Sequence, residues 1–250
     1  MQVHGLVEQL NRDGCCVLPS IFNDERIEEF RKTTLDNLGS MGQTRDVAHS
    51  YHLAGFHRFP ALSFLHSQIA ANSSINEFLS KYYGGAPYFA IGLSDVTVNR
   101  SQHWHTDLLR GEYSTFLDAI DPWSMRGDGC IKALVYLQTG RSLRIARGSH
   151  LVPTPLDDKL LDDLAGTREV TQLEVNAGDV VMMDIRSLHR GSTDDEMRKP
   201  ELADSPKILI STVFGPVKSA FAEAMQLGNA HRMARWDRQH LSGKSASQGA

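Results

Sequence analysis

The chain has 250 residues, 41% of them hydrophobic and 22% charged, with a net charge of -4, so one domain can bury a sizeable core. Without a basic excess or a clustered basic face, nucleic acid and anionic membranes are not expected partners, and no window approaches the roughly 18 apolar residues of a membrane span. The start MQVHGLVEQLNRDG has no cationic segment followed by an apolar core, so no secretory signal is expected; three cysteines, two of them adjacent (Cys15, Cys16, Cys130), argue against a disulfide framework and fit a reducing cytoplasm.

Residues 3–10 have the spacing of a short amphipathic helix, 11–14 are turn material, and 15–18 read as a strand ended by Pro19. Asn23 or Asp24 caps a helix that carries Ile27, Phe30 and Leu35 at helical spacing to about Leu38. Residues 39–59 show no clean period and read as a loop over a pocket; His49, His52 and His57, with His66 beyond, have no ligand spacing. Residues 64–83 read as one helix stopped by Gly84 and Gly85.

From Pro87 the texture turns to strands. Residues 88–98 alternate, 108–129 are an irregular excursion over whatever precedes them, and 131–138 and 142–146 are strands. After the breaks at Pro153 and Pro155 come a short acidic helix (156–164), a strand (169–175), the tight turn Asn176-Ala177-Gly178-Asp179 and a returning strand (180–185). A polar loop (191–206) leads to the last strong strand (207–214), then a closing helix (219–240) and a disordered tail (243–250). About eight short strands in the second half, with helices at both ends, predict a mostly β fold over residues 1–242. The expected architecture is a double-stranded β-helix, or jelly roll, packed by N-terminal and C-terminal helices. No glycine-rich turn joins a strand to a helix as a nucleotide-binding loop requires.

Residues 101–107, SQHWHTD, end the run of β-formers. His105 and Asp107 stand two apart, so on an extended strand both side chains leave one face. Alone, such a pair is more often a satisfied surface pair than a metal site. The histidine of DIRSLHRGS, His189, follows a strand at the far end of the proposed jelly roll and supplies a third ligand. Two neutral imidazoles and a carboxylate suit Fe(II) and leave three open positions, enough for a bidentate 2-oxo acid and dioxygen. His103 shares the face of His105, which keeps open a cupin-like site with zinc or manganese and no 2-oxo acid. Trp104 points the other way, into packing, and Asp184 is placed to hydrogen-bond a ligand or a turn.

Four ordered pieces resemble the phytanoyl-CoA dioxygenase-like branch of the Fe(II)/2-oxoglutarate oxygenases: RDGCCVLPSIFNDERIEEFR, the His105-x-Asp107 pair, SLRIARGSH (142–150) and NAGDVVMMDIRSLHRGS (176–192). The resemblance implies an enzyme that uses Fe(II), 2-oxoglutarate and O2 to hydroxylate an unactivated C–H of a small molecule, releasing succinate and CO2. Related halogenases have a small residue in place of the carboxylate, so Asp107 favours hydroxylation. The chain departs from the family in two places. Arg147 stands where the turn usually has proline, and no arginine opens the last strand to grip the far carboxylate of 2-oxoglutarate. Lys207 has the right place for that role and Arg198 nearly the right distance; a lysine would bind as a point charge without the fork.

Arg144 and Arg186 lie close in sequence to the motifs. Facing the pocket they would suit an anionic substrate; salt bridges at the barrel rim are the plainer reading. A non-catalytic binding or sensing protein on the same frame is the remaining alternative, and no pattern sets an oligomeric state.

Overall fold

The computed structural model describes residues 3–43, 49–109, 111–118, 120–124, 127, 129–140, 143–154 and 159–240. Its strands are β1 (Cys15–Leu18), β2 (Gly42–Gln43), β3 (Tyr51–Ala54), β4 (Tyr88–Val98), β5 (Ile131–Tyr136), β6 (Arg144–Ala146), β7 (Val170–Gln172), β8 (Val180–Asp184), β9 (His189–Arg190) and β10 (Ile208–Pro216). The helices are α1 (Val3–Asp13), α2 (Asp24–Asp36), α3 (Ser63–Ala70), α4 (Ser73–Tyr82), α5 (Lys159–Gly166), α6 (Asp194–Met197) and α7 (Ala220–His240). One antiparallel sheet has the order β1-β8-β5-β10-β4-β3-β2, and a second, smaller one the order β7-β6-β9.

Period-two alternation separates the two faces of the large sheet. Val96 and Val98 of β4, Ile131, Ala133 and Val135 of β5, and Ile208 and Ile210 of β10 join the main core with Leu6 and Leu10 of α1, Phe30 of α2, Leu65 of α3 and Phe78 of α4. Their neighbours Asp95 and Thr97, Lys132, Leu134 and Tyr136, and Leu209 and Ser211 turn the other way and line a cavity that also touches Leu143 and His189. Beside it, Val181 and Met183 of β8 meet Leu143, Ile145, Leu173 and Val175 from the small-sheet side. Helices α1 to α4 therefore seal one face of the sheet, and the other carries a site with α7 packed beside it on Ile91, Leu93 and Val213.

Local chemistry explains where elements begin. The Asn23 side chain accepts from Arg26 N at the start of α2, and at α6 Thr193 and Glu196 close a reciprocal capping box. The stretch 64–83, read as one helix, is two: Asn72 interrupts it and accepts from Ser74 N and Ile75 N to cap α4. The stretch 39–59, read as loop, supplies β2 and β3, which extend the large sheet beyond β4. The polar loop 191–206 contains α6 and a short 3-10 turn over Pro200–Leu202. Arg147, at the departure from the family turn, ties that turn to the end of α1 through Asp13 (2.8 Å) and also pairs with Glu169 (2.6 Å). The expected tail at 243–250 and the expected start of α5 lie outside the described residues.

Candidate metal centre

Backbone pairing brings the two histidines together. His105 N donates to His189 O (2.9 Å) and His189 N donates to His105 O (3.0 Å), a reciprocal antiparallel pair that puts both side chains on one face. Their ring centroids are 4.2 Å apart. Each ring is oriented by the carbonyl two residues before it, His105 Nδ1 to His103 O (2.7 Å) and His189 Nδ1 to Ser187 O (2.9 Å). A carbonyl only accepts, so the proton sits on Nδ1 in both rings and each Nε2 keeps a lone pair for a ligand.

The chain then bends. Asp107 N donates to Ile185 O (3.2 Å), and Leu108 takes a positive φ of 53°. The bend leaves Asp107 Oδ1 4.0 Å from His105 Nε2, while Oδ2 accepts from Lys132 Nζ at 2.9 Å. One ligand atom from each of His105, Asp107 and His189 lies within 4.8 Å of the others.

Electrostatics keeps these groups in their ligating forms. Burial, and then the neighbouring His189, lowers His105 to about 3; burial also lowers His189. Burial would raise Asp107, but Lys132 and the two imidazoles outweigh it and hold the carboxyl at about 2. Near neutral pH the set is two neutral imidazoles and a carboxylate, a donor set that fits Fe(II) and leaves one side open.

The cavity runs from Lys132 and His189 to Lys207. Lys207 Nζ donates to Ser192 Oγ (2.8 Å), and burial drives its pKa down to about 8, with Glu196 opposing and Arg144 adding to the drop. Arg198 lies elsewhere: its side chain is 63% exposed and pairs with Asp195 at 3.1 Å. Arg144 reaches Glu196 at 3.3 Å, close enough for its charge to act on Lys207. Arg186 is turned into the protein, where Nε and Nη2 grip Asp184 (2.8 and 2.5 Å) and Nη1 donates to Pro122 O (2.7 Å). It does not line the cavity. Asp184 thus serves a turn, accepting from Arg186 N as well (2.9 Å). The exposed His103 gives its carbonyl to His105, and its ring is not in the ligand group. Trp104 packs against the cluster of Ala146, Leu161, Ala165 and Leu188, with Arg190 over its ring at 5.7 Å.

Lys132 and Asp95 escaped the sequence reading. Their signal was available: each is a lone charge in an apolar strand, at the parity that faces away from the core under α1 to α4.

No protein-family model and no curated protein matches the sequence. Solved structures match by shape. SnoN, a non-heme alpha ketoglutarate dependent epimerase from nogalamycin biosynthesis, superposes with a TM-score of 0.63 at 16% identity, over 88% of this chain and 88% of that one. SnoK, a non-heme alpha ketoglutarate dependent carbocyclase from the same biosynthesis, gives 0.63 at 18% identity over 85% and 83%. HygX from Streptomyces hygroscopicus, with nickel and 2-oxoglutarate bound, gives 0.61 at 17% identity over 87% and 89%. The chain has their fold. At such identities the likeness is one of fold, and the chemistry has to be argued from this chain's own residues.

Proposed function

We propose that the protein is an Fe(II)- and 2-oxoglutarate-dependent dioxygenase of the phytanoyl-CoA dioxygenase-like kind, which hydroxylates an unactivated C–H bond of a small anionic metabolite. One observation carries the reading: two imidazole Nε2 lone pairs and a carboxylate oxygen converge within 4.8 Å, with both rings locked by backbone carbonyls. The large sheet and the β7-β6-β9 sheet are then the two walls of a double-stranded β-helix, in one domain over residues 1–242. The fold shared with SnoN, solved with Fe3+, alpha ketoglutarate and nogalamycin RO, and with HygX supports it.

His105, Asp107 and His189 would hold the metal. Iron, 2-oxoglutarate and dioxygen together supply an oxidant that removes hydrogen from substrate carbon and returns hydroxyl, with succinate and CO2 as by-products. Lys132 donates to Asp107 Oδ2, balances the carboxylate and lines the cavity, where its charge would help hold an anionic 2-oxo acid. Lys207 and Ser192, at the other end, would take the far carboxylate as a point charge and a hydroxyl. The exposed Arg198 is not the residue for that role. A cupin-like site needs His103 as ligand, and among the described residues the His103 ring lies outside the ligand group.

Anaerobic protein mixed with Fe(II) and then 2-oxoglutarate should develop the visible charge-transfer band of the chelate and release succinate in air. Metal binding without a band would move the protein to the cupin-like class; a band without turnover across a substrate panel would make it a binding or sensing protein.

A further inference from the structure

A second cavity of about 400 Å³ lies beside the first and is lined by His52, Arg100, Tyr113, Arg232, Arg235 and Trp236, among others. Its volume is in the range of small-molecule sites. Arg100 lines both cavities. Asp95 of the first is gripped by both terminal nitrogens of Arg232 of the second, at 2.7 and 2.8 Å. The two spaces therefore share a wall made of charged side chains. Burial works against the Arg232 charge, but Asp95 and, at longer range, the metal-site Asp107 keep its pKa raised.

Among the described residues no carboxylate lines the second cavity, although three guanidinium groups do. The acids that balance two of them approach from outside its lining: Asp95 holds Arg232, and Glu112 holds Arg235 through one terminal nitrogen. A guanidinium has five N–H donors in a fixed fork: Arg232 commits most of its own to Asp95 and, through Nε and Nη2, to Asn229 Oδ1, whereas the one terminal nitrogen that Arg235 gives to Glu112 does not spend its fork. An oxyanion is the ligand that takes several guanidinium N–H groups at once.

We propose that this second cavity, where Arg100, Arg232 and Arg235 meet Tyr113 and Trp236, binds the substrate through an oxyanion, a phosphate ester or a carboxylate, carried on an apolar or aromatic body. The inference rests on the oxygenase reading for the word substrate and on the cavity alone for the anion. Bound there, the anionic end would fix the molecule against the shared wall and leave the rest of it to extend past Arg100 toward His189.

The test is calorimetric titration of the full chain with phenyl phosphate, benzoate and benzylamine. Phenyl phosphate or benzoate should bind and benzylamine should not; the tighter anion names the source. Arg235→Gln, at a half-exposed position that folding tolerates, and Arg100→Gln should each weaken the anion about tenfold, while Lys207→Met in the first cavity should leave it unchanged. Absence of anion binding, benzylamine binding as tightly as either anion, or weakening by Lys207→Met alone would each overturn the proposal. The charge-transfer band is a separate readout: anion binding in a protein that forms no band would sink the oxygenase reading and keep the anion site.

Discussion

Asp107, partly buried, and Asp184, fully buried, are both carboxylates held by a buried cation, yet they are finished differently. Asp184 is gripped by the fork of Arg186 and by its backbone N–H, so both oxygens are spent. Asp107 meets Lys132, a point charge that covers Oδ2 alone and leaves Oδ1 beside the lone pair of His105. An arginine closes a carboxylate and makes scaffold; a lysine half-closes it and leaves a ligand. In this molecule the active-site candidate is distinguished less by charge or burial than by which lone pairs remain.

The largest effect should come from removing the open carboxylate. Asp107→Ala deletes a ligand, which costs more than the 10–100-fold typical of losing an outer partner. Both the charge-transfer band and substrate-independent 2-oxoglutarate decarboxylation should vanish while the circular dichroism spectrum stays native. Retained turnover would remove the three-residue site. The closed pair should fail the other way. Arg186→Met strands a carboxylate that is 2% exposed, at about 3–5 kcal/mol of stability. A denaturant series should show the lost stability, and whatever protein stays folded should still form the band. A stable Arg186→Met protein without a band would mean that Arg186 acts on the site.

Much of this contrast was legible in the sequence. His105, Asp107 and His189 were readable because a two-residue spacing on a strand and a histidine after a strand are local patterns. The orienting carbonyls of His103 and Ser187 are equally local, each two residues before its histidine. What sequence could not supply was partnering at long range. Arg186 read as a cation that either faced the pocket or formed a salt bridge at the barrel rim, and only the fold turns it inward onto Asp184. β2 and β3 were missed because two- and four-residue strands carry too little periodicity, and their stability comes from pairing with β4. Counting residues from His189 could not choose between Arg198 and Lys207, since α6 and the turn after it absorb the extra length of the loop.

Lys207 sharpens the comparison, because it too is a lysine that covers only part of what it meets. Its pKa of about 8 means that the ammonium is present below that pH and lost above it. Affinity for 2-oxoglutarate, titrated through the charge-transfer band, should be level from pH 7 to 8. Above that it should fall by about tenfold per pH unit, until the higher pKa of the ligand-bound lysine is reached. Lys207→Arg keeps its charge throughout and should flatten the profile. Lys207→Met should weaken binding at pH 7 by about 30-fold, near 2 kcal/mol. A profile in the wild type that stays flat to about pH 9, one unit beyond the free pKa of about 8, together with full affinity in Lys207→Met would place the anchor elsewhere.

The smallest effect belongs to Arg198, the cation that sequence distance favoured nearly as well. Its partner Asp195 is 92% exposed and sits three residues away, so water and salt screen the pair and little holds its geometry. Arg198→Ala should change 2-oxoglutarate affinity by less than about twofold, and its thermal melt should overlie the wild type. The physical reason is the one that separates Asp107 from Asp184: a charge contributes according to what desolvates it and which of its partners' lone pairs it leaves open, and Arg198 is solvated and does not line the cavity of Lys207. A loss in Arg198→Ala comparable to that in Lys207→Met would require the loop after His189 to close over the cavity when 2-oxoglutarate binds, and the contrast between buried and exposed cations would then apply only to the ligand-free protein.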